Sequence, residues 1–512
     1  MWRSSTKART TNGKKQRFLE MSTAQGNANF NNANFDRRVA ADALSLSASG
    51  PRRNAWIMAA LCLEGLVVLG LGIAILRIVN DDVFITMRYS RNLLHGQGLV
   101  YTPGERVCGI TCPLLAFLQA AFGFVAGGDV LLGNYLLQFL LLAGCMFLAA
   151  RYFDNPLLTA ALIPQIVFNP QTVGYLGNEV VLLLFLSLFS LFCLEKGSDR
   201  LFSFSLSLIY LARFDGFIFG ALATLYWLYR RRPFDWKRVV SHLAVWASLP
   251  VAWHIFSLFY YGHFLSNSVT SKLLTPHGIK TYPMVLFESY LPGLLLGSQN
   301  LFLGTLILVG LLIFWRRISP YAAWFIAFSL VYWIIRAPGI TRWYFHTLAF
   351  LSMFAAAGGI AHVSRVLLAR SRIPSAGAFL FPAAAGFLLI GGNLDYSWEK
   401  ERYELYREVA QYLDGVAAKN ARLEMNEIGI LGYYLDRPVL DRHFLVTAQG
   451  QGEDRFPAIE PLRARLQPAF VLLNPYRILT EMEEKNMVPG YCLVLKGSSP
   501  RHGIRLYLFK RL

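Results

Sequence analysis

Charge is what this chain has least of. Only 16% of its 512 residues are Asp, Glu, Lys or Arg, against 55% hydrophobic, and the mean hydropathy is +0.40. A soluble domain carries roughly a quarter charged residues, so a soluble protein is excluded and a polytopic α-helical membrane protein is indicated. Acidic residues are the scarcer kind, 31 against 49 basic, for a net charge of +18. That sign alone suits nucleic acid or a membrane surface. The basic residues gather in an N-terminal arm, in short inter-helix loops and in the C-terminal region. The first two placements follow the positive-inside rule, and no nucleic acid is expected. Six cysteines are too few for a disulfide scaffold. No small-residue cleavage site follows the first apolar run, which reads as an uncleaved anchor.

Residues 1–54 are polar and basic, with the low-complexity run N-A-N-F-N-N-A-N-F at Asn27–Phe35, and read as a disordered cytoplasmic arm. Ala55–Val79 is long enough to span a bilayer of about 30 Å hydrocarbon thickness. Basic residues before it and acidic residues after it put the N-terminus inside and Asp81 outside. Further spans are expected near 129–150, 156–170, 180–195, 201–212, 214–230, 239–261, 299–315, 321–336, 343–362 and 375–394. The basic loops Lys196–Arg200, Arg230–Arg238, Arg316–Arg317 and Arg365–Arg372 all fall inside if Glu179 and the loop 262–298 lie outside. Parity then requires Pro113–Ala126 to be interfacial or re-entrant, giving about eleven spans across residues 55–394. From about residue 395 the composition changes. Tyr396–Ala418 is amphipathic, and short strand-like runs follow at Ile428–Leu431, Phe470–Leu473, Cys492–Leu495 and Ile504–Lys510. Residues 395–512 therefore read as a small soluble α/β domain on the outer face.

The chemistry concentrates on that outer face. Residues 80–128 form a first outer loop that opens on two adjacent carboxylates, Asp81 and Asp82, with Arg88 and Tyr89 just behind. Further along come Glu179, Arg213 with Asp215, Asn267, Lys272, and Arg342, Tyr344 and His346. Transfer of a sugar needs a carboxylate base for the acceptor proton and cations for a departing phosphate. Each residue also has a plainer reading. The Asp pair could solvate a helix end, Arg213 and Asp215 could pair across a kink, Lys272 could reach to headgroups, and His346 could be structural. Cys108 and Cys112 could close a small disulfide in an oxidising compartment or stay as free thiols. Nothing in the sequence demands a metal, although an Asp pair has the oxygen ligands to take a divalent cation.

The run D-D-V-F-I-T-M-R-Y-S-R-N-L-L-H-G-Q-G-L-V-Y-T-P-G-E-R-V-C-G-I-T-C-P-L-L resembles the first outer loop of GT-C fold glycosyltransferases. G-N-E at Glu179, R-F-D-G at Arg213, S-N-S-V-T-S-K up to Lys272 and R-W-Y-F-H at Arg342 follow in order. The whole is similar to the arabinofuranosyltransferase-like family of bacterial envelopes, which includes the terminal β-(1→2)-arabinofuranosyltransferases. That resemblance implies a bacterial plasma-membrane enzyme and a polyprenyl-phosphate sugar as donor. It also implies an envelope glycan or lipid as acceptor, Asp81 or Asp82 as general base, and inversion at the anomeric carbon. The chain departs from the family pattern at Cys108, at Cys112, at R-F-D-G and at Ser266–Asn267–Ser268. Two other readings compete. A transporter or flippase of lipid-linked sugars would show repeated halves, which are not visible here. An O-antigen ligase or polymerase would lean on a late outer loop without an acidic pair after the first span.

Overall fold

A computed structural model describes residues 51–233, 235–274, 282–290, 298–335, 342–370, 377–388, 397–447, 459–474, 488–499, 501 and 504–512. The chain divides into two compact units, Met1–Cys62 and Leu63–Leu512. Almost all of the expected N-terminal arm lies outside the described residues. The sheet of the C-terminal region belongs to the second unit together with the helices.

Helix α1 (Pro51–Ile75) is followed by α2 (Asp81–Leu94), α3 (Pro113–Val125), α4 (Val130–Phe153), α5 (Pro156–Phe168), α6 (Glu179–Glu195), α7 (Asp199–Ala212), α8 (Phe217–Arg230) and α9 (Trp236–Tyr261). Then come α10 (Asn267–Leu274), α11 (Ser298–Ile334), α12 (His346–Arg370) and α13 (Gly377–Leu388). Five helices among the described residues are long and apolar enough to cross a membrane: Ile57–Ile75, Val130–Phe153, Trp236–Tyr261, Leu301–Ile334 and His346–Leu368. The chain is a multi-pass membrane protein. The remaining apolar helices are short. The 13 residues of α3 rise about 20 Å at 1.5 Å each, less than the hydrocarbon layer. Where two spans were expected on either side of Arg316–Arg317, α11 consists of two helices joined across a kink at Phe314 (φ −104°, ψ 20°). Just beyond the kink, Glu195 pairs with the Arg317 guanidinium, which also stacks on Tyr152. Helices α11 and α12 cross closely on small residues: a Cβ on Gly310 would meet the Ala355 carbonyl oxygen at 1.8 Å, the close approach that small residues allow between membrane helices.

Helix α14 (Ser397–Val416) opens the C-terminal region and matches the amphipathic segment read at 396–418. Strands β1 (Leu423–Met425), β2 (Val439–Asp441), β3 (Phe470–Leu473), β4 (Tyr491–Ser498) and β5 (Arg505–Arg511) form one sheet in the order β2-β1-β3-β5-β4. The β1–β2 and β1–β3 pairs are parallel and the pairs with β5 antiparallel. Helix α15 (Ile430–Leu435) lies between β1 and β2, and α16 (Ile459–Leu466) between β2 and β3. The apolar run at Ile428–Leu431, expected as a strand, instead leads into α15. The reason lies in α2.

Candidate functional site

Helix α2 begins where an Asn can cap it. Asn80 accepts from the Asp82 N–H at 3.1 Å, and two carboxylates occupy the first turn, where they favour helix initiation. Those two carboxylates then part company. Asp81 is 5% exposed; its Oδ2 accepts the Gly429 N–H at 2.9 Å and its Oδ1 the Ile430 N–H at 2.8 Å. It thus caps the start of α15 from 348 residues earlier in the chain. Gly429 is required by proximity: a Cβ there would meet the Asp81 carbonyl oxygen at 1.9 Å. Asp82, one residue on, is exposed.

The rest of α2 grips the other end of α15. Arg88, fully buried, donates to the carbonyls of Gly432 (2.6 Å) and Arg437 (2.7 Å) and lies 4.1 Å above the Tyr101 ring. Arg91 donates to the Tyr433 carbonyl and to Asp436, both at 2.7 Å. Tyr101 donates to the Ile428 carbonyl. Tyr89, also buried, ties down the outer loop by donating to the Val107 carbonyl at 2.7 Å and accepting from Gly109 N–H at 2.8 Å. Arg88 and Tyr89, expected to touch substrate, are therefore enclosed and hold the outer loop and α15 against α2.

A second group of charges lies at the start of α6 and the α7–α8 turn. Arg213 donates through Nη1 to Glu179 at 2.8 Å, and through Nε and Nη2 to the two oxygens of Asp215 at 2.8 and 2.7 Å. Tyr332 adds a 2.6 Å bond to Asp215, and the guanidinium lies 4.7 Å above the Tyr344 ring. His346 is fully buried among Trp324, Phe328 and Phe350. Each nitrogen of Arg213 thus already serves a carboxylate, and with two carboxylates to one guanidinium the group carries no surplus positive charge for a phosphate. The pairing of Arg213 with Asp215 was legible from their spacing; the addition of Glu179 and Tyr332 was not.

The two loop cysteines are free and buried. Cys108 Sγ donates to the Ile110 carbonyl at 3.8 Å, whereas Cys112 Sγ pairs with Thr86 Oγ1 at 3.5 Å. Burial pushes the Cys108 thiol up to about 12. It pushes Cys112 up as well, reinforced by the negative charge of Glu179. Both therefore stay protonated and unreactive at neutral pH, and the disulfide considered for them is not formed in this structure. Asn267 donates its backbone N–H to the Cys108 carbonyl at 2.7 Å and its side-chain amide to Phe444 at 3.4 Å. Ser268 donates to Gly109 at 2.5 Å, so α10 is laced to the outer loop. Lys272 lies in α10 and Arg342 in a short turn before α12, but their side chains lie outside the described residues. Among the described residues no group of three or more His, Cys, Asp or Glu is placed to hold a metal ion.

Two residues that the sequence did not mark join the Asp pair. Glu427 and Arg402, 3.8 Å apart and 18% and 12% exposed at their side chains, share an electrostatic environment with Asp81 and Asp82.

No family model matches the chain, and no curated protein matches it in sequence. Solved structures do match it. ArnT from Cupriavidus metallidurans in the apo state superposes with a TM-score of 0.58 at 13% identity, over 90% of this chain and 98% of that one. The same protein bound to undecaprenyl phosphate gives 0.54 over the same shares, also at 13% identity. Arabinofuranosyltransferase AftD from mycobacteria gives only 0.46 at 14% identity, with this chain spanning 40% of its length, too low a likeness to argue from. The chain shares the fold of ArnT, and that fold is the GT-C fold that the first-loop motif implied.

Proposed function

We propose that this protein is an inverting glycosyltransferase that moves a sugar from a polyprenyl-phosphate donor to an envelope glycan or lipid, with Asp82 as its general base. The observation that carries this reading is the division of labour between adjacent aspartates. Both oxygens of Asp81 are occupied by backbone N–H groups and the side chain is enclosed, so it has no face for an acceptor hydroxyl. Asp82 stands exposed on the same turn. Its carboxylate takes the proton as the acceptor oxygen attacks the anomeric carbon. The bond from that carbon to the phosphate oxygen breaks, and polyprenyl phosphate leaves. The binding of undecaprenyl phosphate by ArnT, which shares this fold, supports the donor class. Because the Arg213 charge is already outnumbered by two carboxylates, the cations that meet the donor phosphate are assigned to Lys272 and Arg342.

The test is transfer by Asp82→Asn, read as release of polyprenyl phosphate from synthetic polyprenyl-phosphoryl pentose and hexose donors. Loss of a positioned base lowers the rate by about 10²–10⁴-fold, with binding of undecaprenyl phosphate retained. Full activity in Asp82→Asn sinks the assignment. Asp81→Asn, by contrast, is expected to lower the thermal stability of the protein, because it loosens the cap on α15.

A further inference from the structure

Arg88, Arg213, Arg437 and Arg463 are buried, and each donates hydrogen bonds at 2.6–3.1 Å. Arg402 on α14 is nearly as enclosed, with 12% of its side chain exposed, yet it does not match them. Its buried Nε has no hydrogen-bond partner, and its Nη1 stops 3.8 Å from Glu427 Oε2, beyond hydrogen-bond length. An enclosed guanidinium with unmade bonds is costly to keep, so a group that completes them binds well there. Trp398, one turn earlier on α14, lies with its ring 4.7 Å from that guanidinium and is itself 41% exposed. Two contacts hold this place against α2. Glu427 stands two residues before Gly429, whose N–H donates to Asp81 at 2.9 Å, so its Cα lies within about 7 Å of that of Gly429. Tyr403, next to Arg402, meets the ring of Phe84 at 5.8 Å, two residues beyond Asp82.

A ligand for this place must satisfy a guanidinium and a carboxyl group at once. A hydroxyl does so: its oxygen accepts from Arg402 while its proton goes to Glu427, whether Glu427 is charged or protonated. Adjacent hydroxyls of a sugar ring offer that pattern twice. The C–H face of such a ring also suits an exposed indole, because weakly positive hydrogens pack on the negative face of a π system. We propose that Trp398, Arg402 and Glu427 form a subsite for a sugar residue of the acceptor, with Trp398 packing on the ring and Arg402 and Glu427 holding its hydroxyls. This deepens the proposed function and rests on it only for the ligand being the acceptor. Of the envelope glycan and the lipid named there, the subsite takes the glycan.

Calorimetric binding of short neutral pentose and hexose oligosaccharides to the purified full-length protein tests this without turnover. At least one should bind the wild type, and Trp398→Ala and Arg402→Gln should each weaken it on the order of tenfold. Trp398→Phe, which keeps a π face, and Glu427→Gln, which keeps both a donor and an acceptor, should retain most of the affinity. Binding of undecaprenyl phosphate should stay unchanged in all four. In the donor-release assay the same oligosaccharide should show a raised acceptor KM in Trp398→Ala and Arg402→Gln, with the donor KM unmoved. A merely structural role would weaken undecaprenyl phosphate and oligosaccharide alike, and that outcome overturns the proposal. Oligosaccharide affinity that survives Trp398→Ala, with stability lost only in lipid bilayers, makes the indole a membrane anchor and overturns it too. Displacement of the oligosaccharide by inorganic phosphate would mark an anion site, with the same consequence. Failure of the wild type to bind any neutral oligosaccharide overturns this proposal and leaves the base assignment standing. Full activity in Asp82→Asn does the reverse, because binding is read without turnover.

Discussion

The chain holds two buried charge groups that look alike in composition and differ in balance. Around Arg213, one guanidinium meets Glu179 and Asp215 directly at 2.7–2.8 Å, all three side chains being 15% exposed or less. Tyr332 supplies a further bond to Asp215. Around Arg402, the guanidinium lies 3.8 Å from Glu427, and Asp82 on α2 reaches solvent. The first group is locked by short charge-assisted bonds and has no reason to exchange a proton. The second is joined by a longer ion-pair contact and keeps one carboxylate exposed, and burial pushes the Glu427 carboxyl up to about 8. Of the two, the second presents an exposed carboxylate, as the proposed base requires.

The sharpest way to break that comparison is to remove each cation in turn. Arg213→Gln leaves two carboxylates enclosed with no counter-charge, and stripping one partner from a buried ion pair costs about 3–5 kcal/mol. Arg402→Gln should cost distinctly less, because Glu427 can keep its proton and Asp82 is solvated. Thermal unfolding of the two purified variants beside the wild type measures the gap. Equal losses would mean that the two groups are the same kind of object.

How far these groups could be read from the sequence depends on where their partners lie. Asp81 and Asp82 were conspicuous because a carboxylate pair at the end of an apolar run is costly to place there. Arg213 and Asp215 were conspicuous for the same reason. The function of Arg88 was invisible, since its carbonyl partners at Gly432 and Arg437 come 344 and 349 residues later. Ile428–Leu431 looks like a strand by hydrophobicity; Asp81 takes the free N–H groups of Gly429 and Ile430 and turns the segment into a helix start, a tertiary contact overriding local preference. Glu427 carries no local signal at all, as N-E-I-G is an unremarkable turn until α2 is placed against it. The fold was the legible part, because hydropathy and the first-loop motif are local properties of the chain.

Gly429 offers a gentler way to separate the two groups, since only the second depends on docking between distant segments. A methyl group there would lie 1.9 Å from the Asp81 carbonyl oxygen, so α15 must retreat from α2. Overpacking of this kind costs about 1–3 kcal/mol. Burial pushes the Glu427 carboxyl up to about 8, and infrared titration of Gly429→Ala should find it losing its proton at lower pH, since it gains water. The Arg213 group lies elsewhere and should not respond, so Tyr332→Phe should destabilise Gly429→Ala and the wild type by the same amount.

The smallest effect is expected where α2 and α15 meet solvent. Arg91 reaches Asp436 at 2.7 Å, but the Asp436 side chain is 56% exposed. Arg91 also keeps its bond to the Tyr433 carbonyl and its place 4.9 Å from that ring. An exposed pair of this sort contributes about 0–1 kcal/mol. Asp436 has φ +48°, a left-handed conformation that Asn adopts readily, so Asp436→Asn removes the charge without straining the turn. Its unfolding temperature should fall slightly in low salt and converge on the wild-type value as salt screens the pair. A large loss that salt does not erase would show that the grip of α2 on α15 is electrostatic to its rim. The buried bonds of Arg88 and Asp81 would then no longer suffice to explain how α15 is held on α2.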